Sequence, residues 1–253
     1  MLTWNLFHGR DHPPAGKEHI DVNRSLRREF LDKVAGWEWD VALLQEVPPR
    51  WFDDLQRATG SAGVGVLTSR NWLAPLRSAI AERTPDLIRS NEGGSNVLLV
   101  RGEGRTVATG RVRLALWPER RAMVMSRLAL PGGEELVVAN AHLSVPATRR
   151  GAAELLHAAE IAVRWAAGAP VVLGGDLNLR PSQHREAFER VRGSFDLGGP
   201  TGPQAIDHLL VRGLEVVEPP AKLPATAREV AGPGGLAIRL SDHAPVTAAF
   251  RLR

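Results

Sequence analysis

The chain has 253 residues and contains neither cysteine nor tyrosine. Without cysteine there are no disulfides and no thiolate metal sites, and without tyrosine any role of a phenol must fall to another side chain. No stretch approaches about 18 uninterrupted apolar residues, the length that a membrane-spanning helix needs. The first residues also lack the basic segment and long apolar run of a secretion signal. We therefore expect a cytoplasmic protein without stable membrane insertion.

Two motifs of other enzyme classes are missing as well. There is no G-x-S-x-G turn of the kind that carries the nucleophile of serine hydrolases. There is no glycine-rich loop that would cradle the phosphates of a nucleotide in a P-loop enzyme. Aromatic residues are few, six Phe and seven Trp, although a DNA-binding groove usually interleaves aromatic and basic side chains. These absences argue against serine hydrolases and nucleotide-driven functions, and they leave the substrate open.

The bulk composition is that of a globular protein, with 43% hydrophobic and 24% charged residues. The net charge is +4 at pH 7 and the pI is near 10.4. This favours an anionic substrate, and it is equally compatible with a solvated arginine-rich surface. Apolar segments reach both ends of the sequence, so we predict a single domain over residues 1–253. The sequence does not predict an oligomeric state.

Hydrophobic periodicity predicts a mixture of strands and helices. Strands are predicted at 2–6, 41–44, 96–101, 105–115, 120–130, 134–141, 170–173 and 245–252, with a strand pair within 205–217. Helices are predicted at 23–37, after Pro48-Pro49, at 148–167 and at 182–191, residues 64–89 are ambiguous, and 219–235 reads as a long loop. Because β-meanders interrupt the alternation of strands and helices, the pattern favours two mixed sheets packed face to face with helices outside.

Short polar signatures follow the predicted strands in a fixed order, W-N, Q-E, N-A-H-L, G-D-L-N, I-D-H and S-D-H. The most specific is the apolar strand ending in G-G-D-L-N, because Asp176 and Asn178 would share one face of an extended segment. An Asp can orient and deprotonate water, and an Asn amide can donate to a phosphoryl oxygen. The alternative for these two residues is an Asx turn that closes a strand.

The other signatures have structural alternatives too. Glu46 is either a metal ligand at the sheet edge or a cap of the helix that follows, and His142 is either a site residue or a satisfied core histidine. Asn5 is either a partner of a carboxylate cluster or an amide that holds the strand end. Asp207 and its neighbour His208 should point to opposite faces of a strand, so only one of them should belong to a site.

Taken together, these motifs resemble the endonuclease/exonuclease/phosphatase superfamily, with G-D-x-N and the terminal S-D-H as the most specific matches. The resemblance extends from Trp4-Asn5 to Asp242-His243. It implies a four-layer α/β/β/α sandwich, an α/β fold of two mixed sheets flanked by helices, with the site at one edge of the paired sheets. It also implies a hydrolase of phosphoester bonds that uses Mg²⁺ or Mn²⁺ to assist the attack of water on phosphorus.

Roles follow from the resemblance residue by residue. Asn5, Glu46 and Asp242 resemble the residues beside the metal, with Glu46 as the main ligand. The catalytic residues of the family are matched by Asp176 at the attacking water, Asn178 at a phosphoryl oxygen, His243 at the phosphate, Asp207 orienting His243, and His142 as the second histidine. The abasic endonucleases use a tyrosine in a role comparable to that of His142, so this chain resembles that branch less.

Substrate contacts are predicted more loosely. Arg121, in the pair Arg120-Arg121, is either a phosphate contact or an edge-strand charge, His8 is placed at the mouth of the site, and Glu92 is a possible partner of His142. A phosphodiesterase or nuclease is the leading prediction, with a phosphoester as the partner and a nucleic acid as one candidate substrate. A phospholipid or inositol-phosphate enzyme is the alternative, for which residues 70–76 would be the membrane-contacting loop, and a non-catalytic binding protein is a third.

Overall fold

The computed structural model describes residues 1–16, 18–69, 73–88, 93–117, 119–145 and 150–253. The strands of these residues are β1 (Leu2–Asn5), β2 (Val41–Val47), β3 (Ala62–Leu67), β4 (Ser95–Val100), β5 (Arg105–Ala115), β6 (Arg121–Ala129), β7 (Glu135–His142), β8 (Val171–Asp176), β9 (Asp207–Arg212), β10 (Leu214–Lys222), β11 (Glu229–Ala231), β12 (Ala237–Arg239) and β13 (Val246–Leu252). The helices are α1 (Arg27–Gly36), α2 (Phe52–Thr59), α3 (Ala74–Arg83), α4 (Pro85–Ile88), α5 (Gly151–Ala166) and α6 (Arg185–Phe195).

The strands form two large mixed sheets and one small hairpin. The first sheet has the order β10-β13-β1-β2-β4-β3, and the second has the order β5-β6-β7-β8-β9. Strands β11 and β12 pair with each other outside both sheets. In each large sheet one pair is parallel, β1 with β2 in the first and β7 with β8 in the second.

Strand alternation divides the core into three apolar layers, because successive side chains point to opposite faces of a sheet. Leu43, Val138 and Val172 lie in the layer between the two sheets. Leu44 faces the other way, onto a layer shared with α1 and α2, and Leu173 faces a layer shared with α5 and α6. The result is the four-layer α/β/β/α sandwich expected from the motifs, which is confirmed.

One predicted segment differs in the structure, and one ambiguous stretch has defined elements. Residues 219–235 are not a single loop, since β10 continues through Pro219 and Pro220 and β11 follows. Proline fits there because β10 is an edge strand whose pairing with β13 shifts register on both sides of Glu218. The ambiguous stretch 64–89 contains most of β3 together with α3 and α4. Residues 70–72, Glu92 and the first residues of the helix predicted at 148–167 lie outside the described residues.

Among the helices of the described residues, none combines the length and the apolar character needed to cross a membrane.

Candidate active site

The register of the second sheet brings three of the predicted site residues into one row. Strand β7 pairs with β8 so that His142 lies opposite Asp176, and β8 pairs with β9 so that Asp176 lies opposite Asp207. His142 and Asp176 end their strands, and Asp207 begins its strand. The chain reaches this edge at the carboxyl ends of two parallel strands and the start of an antiparallel one, which is why residues distant in sequence meet here.

The two glycines before Asp176 permit this close packing. A Cβ on Gly175 would lie 2.0 Å from the carbonyl oxygen of Ala141, and its φ of +123° is one that side-chain-bearing residues avoid. A Cβ on Gly174 would lie 2.8 Å from the carbonyl oxygen of His208. The G-G-D sequence therefore allows β8 to sit tightly between its neighbours while it delivers Asp176 to the edge.

The first sheet contributes Glu46 through an irregularity in β2. The pairing of β2 with β4 shifts register between Leu44 and Val47, and Glu46 within this bulge has φ +51°. Asn178 and Ser241, which also border the site, have φ +53° and +59°. Non-glycine residues adopt such conformations rarely, and they concentrate where a fold holds functional side chains in place.

Asp176 is the buried centre of the cluster, with 1% of its surface exposed. Its Oδ2 accepts a 2.9 Å hydrogen bond from Asn5 Nδ2 and lies 3.4 Å from His142 Nε2 and 3.7 Å from His243 Nε2. Burial raises the pKa of Asp176 to about 7 and the charges of Asp207 and Glu46 raise it too, whereas the positive charge of His243 and the hydrogen bond from Asn5 lower it. A carboxylate that titrates near neutrality can accept a proton there.

Asp207 holds the ring of His243 in place through Nδ1. Both carboxylate oxygens of Asp207 lie 3.0 Å from Nδ1 of His243. Burial alone would lower the pKa of His243, but the hydrogen bond and charge of Asp207, with the charges of Asp176 and Asp242, outweigh burial and raise it to about 10. The ring is therefore an imidazolium near pH 7, and its Nε2 proton is available at the cavity that it lines.

His142 has the opposite protonation state. Burial, followed by the positive charge of Arg121, holds the pKa of His142 well below its usual range. Arg121 Nη1 lies 2.9 Å from His142 Nε2, and because a guanidinium can only donate, Nε2 must be the accepting nitrogen. Arg121 is itself 7% exposed, so this pair is a fixed part of the site wall and not a mobile surface charge.

Glu46 and Asp242 complete the carboxylates of one cavity of about 880 Å³, which His8, Arg121 and Asn178 also line. His8 Nε2 lies 3.1 Å from Glu46 Oε2, and Glu46 Oε1 lies 3.8 Å from His142 Nε2. With Asp176 on the same wall, carboxylates from both sheets face a single space. The structure thus brings nine of the ten predicted site residues together around or directly beneath this cavity.

The tenth, Asn5, lies behind Asp176, with 1% of its surface exposed. Its Oδ1 accepts from the backbone N–H of Phe7 at 2.9 Å, and its Nδ2 serves Asp176. Asn178 is also partly engaged, since its Nδ2 donates to the carbonyl of Leu143 at 3.0 Å. Both amides therefore hold neighbouring groups in position in addition to any contact with a ligand.

His208 is buried away from the site, on the face opposite to Asp207, as the strand alternation predicted. Its Nε2 lies 3.0 Å from the carbonyl oxygen of Leu179, and its Nδ1 accepts from the backbone N–H of Thr201. Burial lowers the pKa of His208, so the ring is a neutral core histidine. The I-D-H signature thus combines one site residue with one structural residue.

Sequence reasoning missed a buried amide network that joins the two sheets behind the site. Asn140 Nδ2 donates to the carbonyls of Leu44 and Val97 in the first sheet, and Gln45 Nε2 donates to Asn140 Oδ1 at 2.8 Å. The N of N-A-H-L and the Q of Q-E were visible as strand-end amides, but nothing in the sequence paired them. Ser241 was also missed, although its Oγ donates to the carbonyl of Asn5 and accepts from His243 N–H.

The donor set fits a hard divalent cation. Oxygen ligands from carboxylates suit Mg²⁺ and Mn²⁺, and Glu46, Asp176 and Asp242 all present them to the cavity. Within the described part of the chain, one oxygen each of Asp176 and Asp207 and one nitrogen of His243 also lie within 4.8 Å of one another. Both oxygens of Asp207 already face His243, so we assign Asp207 to hydrogen bonding.

Comparison with protein families identifies the class. Residues 2–243 match the model of the Endonuclease/Exonuclease/phosphatase family, and the chain therefore belongs to that family. This confirms the resemblance drawn from the motifs, and it supports a hydrolase of phosphoester bonds. No curated protein matches the sequence at a significant level.

Solved structures share the fold over nearly the whole chain. An endonuclease/exonuclease/phosphatase family protein from Bacteroides thetaiotaomicron aligns with TM-score 0.70 and 14% identity, covering 100% of this chain and 94% of that one. A mannosyl-6-phosphatase from the same organism aligns with TM-score 0.70 and 14% identity, covering 99% and 98%. The human Nocturnin catalytic domain aligns with TM-score 0.64 and 15% identity, covering 98% and 93%. At these identities the likeness concerns the fold.

Proposed function

We propose that this chain is a divalent-metal-dependent phosphodiesterase, with nucleic acids as the first substrate to test. The observation that carries the proposal is the row of His142, Asp176 and Asp207 at the sheet edge, with His243 bound to Asp207 and Glu46 facing it from the other sheet. A buried base, a cation for phosphate and several carboxylates in one cavity are the parts that metal-assisted phosphoester hydrolysis needs.

Glu46 and Asp242 are the residues that would hold Mg²⁺ or Mn²⁺, with Asp176 next to them. Burial raises the pKa of Asp176, and the charges of Asp207 and Glu46 raise it further, so a cation between Glu46 and Asp176 would offset a repulsion between carboxylates. When bound, the metal ion would offset the negative charge that develops on the phosphoryl and leaving oxygens. His8, at 3.1 Å from Glu46 Oε2, would limit the orientations open to that carboxylate.

Asp176 would orient the attacking water and take its proton. Asn5 fixes one oxygen of the carboxylate by donating to Oδ2, and the backbone N–H of Asn178 donates to Oδ1 at 3.1 Å. These two bonds hold the carboxylate plane, which a base needs if it is to meet a water in one direction. General base catalysis of this kind contributes about 10²–10⁴ in rate.

His243 would bind a phosphoryl oxygen through Nε2–H while Asp207 holds Nδ1–H. The aspartate fixes the orientation of the ring and keeps it charged, as a carboxylate partner does for a histidine elsewhere. Arg121 would add a second cation to the phosphate. His142 holds its Nη1 and Glu119 its Nη2, and its Nε has no hydrogen-bond partner among the described residues. Asn178 would donate its remaining amide hydrogen to the phosphate.

The experiment is cleavage of supercoiled plasmid DNA by the purified protein with MgCl₂, with MgCl₂ plus EDTA, and with an Asp176→Asn variant. Nicking that disappears with EDTA and in the variant supports a metal-dependent nuclease with Asp176 at its centre. Absence of nicking by folded wild-type protein would contradict the nuclease proposal, and bis(p-nitrophenyl) phosphate would then test phosphodiester hydrolysis without DNA.

A further inference from the structure

Trp117 stands out among the tryptophans. Six of the seven lie within the described residues, and of these only Trp117 is exposed, over 69% of its surface. Trp4, Trp39 and Trp51 are buried. A large aromatic side chain left in water on a folded protein loses the burial that its size would give it, and such residues concentrate where a ligand or partner covers them.

Trp117 does not stand on a random part of the surface, because it lines the same cavity as Asp176 and His243. Leu116 and Val145 line it as well and are 58% and 45% exposed. Three of the large apolar side chains left exposed by the fold therefore share one cavity with its most buried carboxylate. This cavity has an apolar part and a charged part.

The apolar part lies close to the phosphate-binding residues along the chain. Trp117 precedes Arg121 by four residues, and four residues span at most about 14 Å even when fully extended. Arg121 contacts His142 directly. Because Trp117 and Arg121 also line the same cavity, one substrate can contact both.

The side chains around Trp117 indicate which chemical group of a substrate would bind there. Glu119 follows close behind Trp117, with 69% of its side chain exposed, and Arg120 lines the cavity too. An acyl chain would have to desolvate these charges, so a lipid fits poorly. Leu116 and Val145 cannot bond the hydroxyls of a sugar, which would find hydrogen-bonding partners here only in charged groups such as Glu119 and Arg120. A flat aromatic ring can stack on an indole face and rest on aliphatic neighbours.

We propose that Trp117, with Leu116 and Val145, forms a subsite for a planar aromatic ring carried by the phosphoester substrate. The inference rests on the proposed function, because the ring is positioned relative to a phosphate at Asp176 and His243. The ring can belong to a nucleobase or to an aryl alcohol, and both offer the same face to the indole. The protein should therefore prefer such phosphoesters over those whose alcohols carry no ring of this kind.

The test compares a thymidine dinucleotide with the same dinucleotide bearing tetrahydrofuran residues in place of both nucleosides, so that charge and scissile bond are matched. Trp117→Ala should raise KM for the thymidine dinucleotide about tenfold, as expected for the loss of one stacked base, with kcat little changed. KM for the abasic dinucleotide should change less than twofold. Trp117→Phe should retain most of the affinity, and Val107→Ala, at an exposed apolar residue outside the cavity, should change neither.

Bis(p-nitrophenyl) phosphate distinguishes the two sources of the ring. If Trp117→Ala raises KM for the thymidine dinucleotide, the subsite is assigned to nucleobases. If it raises KM only for the aryl ester, the subsite is assigned to aryl alcohols. An unchanged KM on both, or an equal rise on the abasic dinucleotide, would overturn the proposal.

Failure of the proposed function can be separated from failure of the subsite. If the wild-type protein cleaves none of these substrates, binding of thymidine monophosphate is measured by isothermal titration calorimetry. Weaker binding by Trp117→Ala would still support the subsite, and equal binding by the two proteins would overturn it.

Discussion

The Asp207→Asn substitution tests the core of the site with little change in shape. Asparagine can still present an oxygen to Nδ1 of His243, but it removes the negative charge that lies 3.0 Å away through both carboxylate oxygens. That charge and its hydrogen bond are the main causes that raise the pKa of His243 against burial to about 10. In the variant we expect the pKa of His243 to fall to its ordinary value or below it.

The size of the effect follows from protonation and orientation. At pH 7.5 the wild-type ring is almost fully charged, whereas a histidine of ordinary pKa is only about one tenth charged. This alone predicts a loss of about tenfold in kcat, and loss of the fixed ring orientation brings the expected total to about 10²–10⁴. Because the folded-state pKa of about 10 lies above the ordinary value of 6.5, the pairing stabilises the fold fully below pH 6.5. That stability is lost as the pH rises through 10.

Two measurements check this prediction. Histidine NMR titration of metal-free protein should move the His243 transition from near pH 10 to below pH 7. Kinetics with bis(p-nitrophenyl) phosphate should show the fall in kcat. Asp11→Asn is the matched control, because Asp11 is also a buried aspartate, 5% exposed, but lies outside the active-site cavity. A variant in which His243 still titrates above pH 9, or in which kcat stays within threefold of wild type, would refute the reasoning.

Three further predictions concern the metal, the sheet interface and pH. Glu46→Gln should abolish most of the rise in Tm that MgCl₂ or MnCl₂ gives the wild-type protein. An equal rise in Tm for the variant and the wild-type protein would contradict the assignment of Glu46 as a metal ligand. Asn140→Ala removes three buried hydrogen bonds between the sheets and should lower the free energy of unfolding by about 3–5 kcal/mol; a urea titration showing under about 1 kcal/mol would exclude this role. Burial, with the neighbouring Asp21, raises the pKa of Asp11 from 3.8 to about 6, so ionised Asp11 destabilises the fold above pH 6. Asp11→Asn should therefore add about 1–2 kcal/mol of stability at pH 8 and nothing below about pH 4, whereas a gain independent of pH would point to packing instead.

Much of the fold could be predicted because the patterns involved are local. Apolar runs bounded by glycine and proline located β2, β7 and β8 to within a few residues, and the alternation around Asp207 and His208 assigned each to the correct face. The prediction of a loop at Pro219 and Pro220 was wrong, because these residues belong to an edge strand. Proline is tolerated in an edge strand and where the pairing is irregular. The extra residues of that irregular pairing lie on β10 itself, but they show only once β10 is aligned with its partner β13.

The candidate site was predicted as a set of residues, but its internal partnerships were not. Strand ends with polar residues were recognisable, and the family resemblance ordered them. The neutral state of His142 could not be foreseen, since it depends on burial and on the charge of Arg121, 21 residues away and across a strand pair. The position of Asn5 behind Asp176 could not be foreseen either, because the two residues lie on different sheets.

The sequence by itself determined the chemical inventory of this protein, most of its strands and helices, and the family to which it belongs. These depend on side-chain type and on periodicities of two and 3.6 residues, which are short-range properties of the chain. Only the tertiary structure decided which carboxylate lies beside which imidazole, how far each pKa moves, and that Trp117 shares a cavity with Asp176. Those outcomes depend on distance and burial between segments remote in sequence, because electrostatic interactions and desolvation act through space.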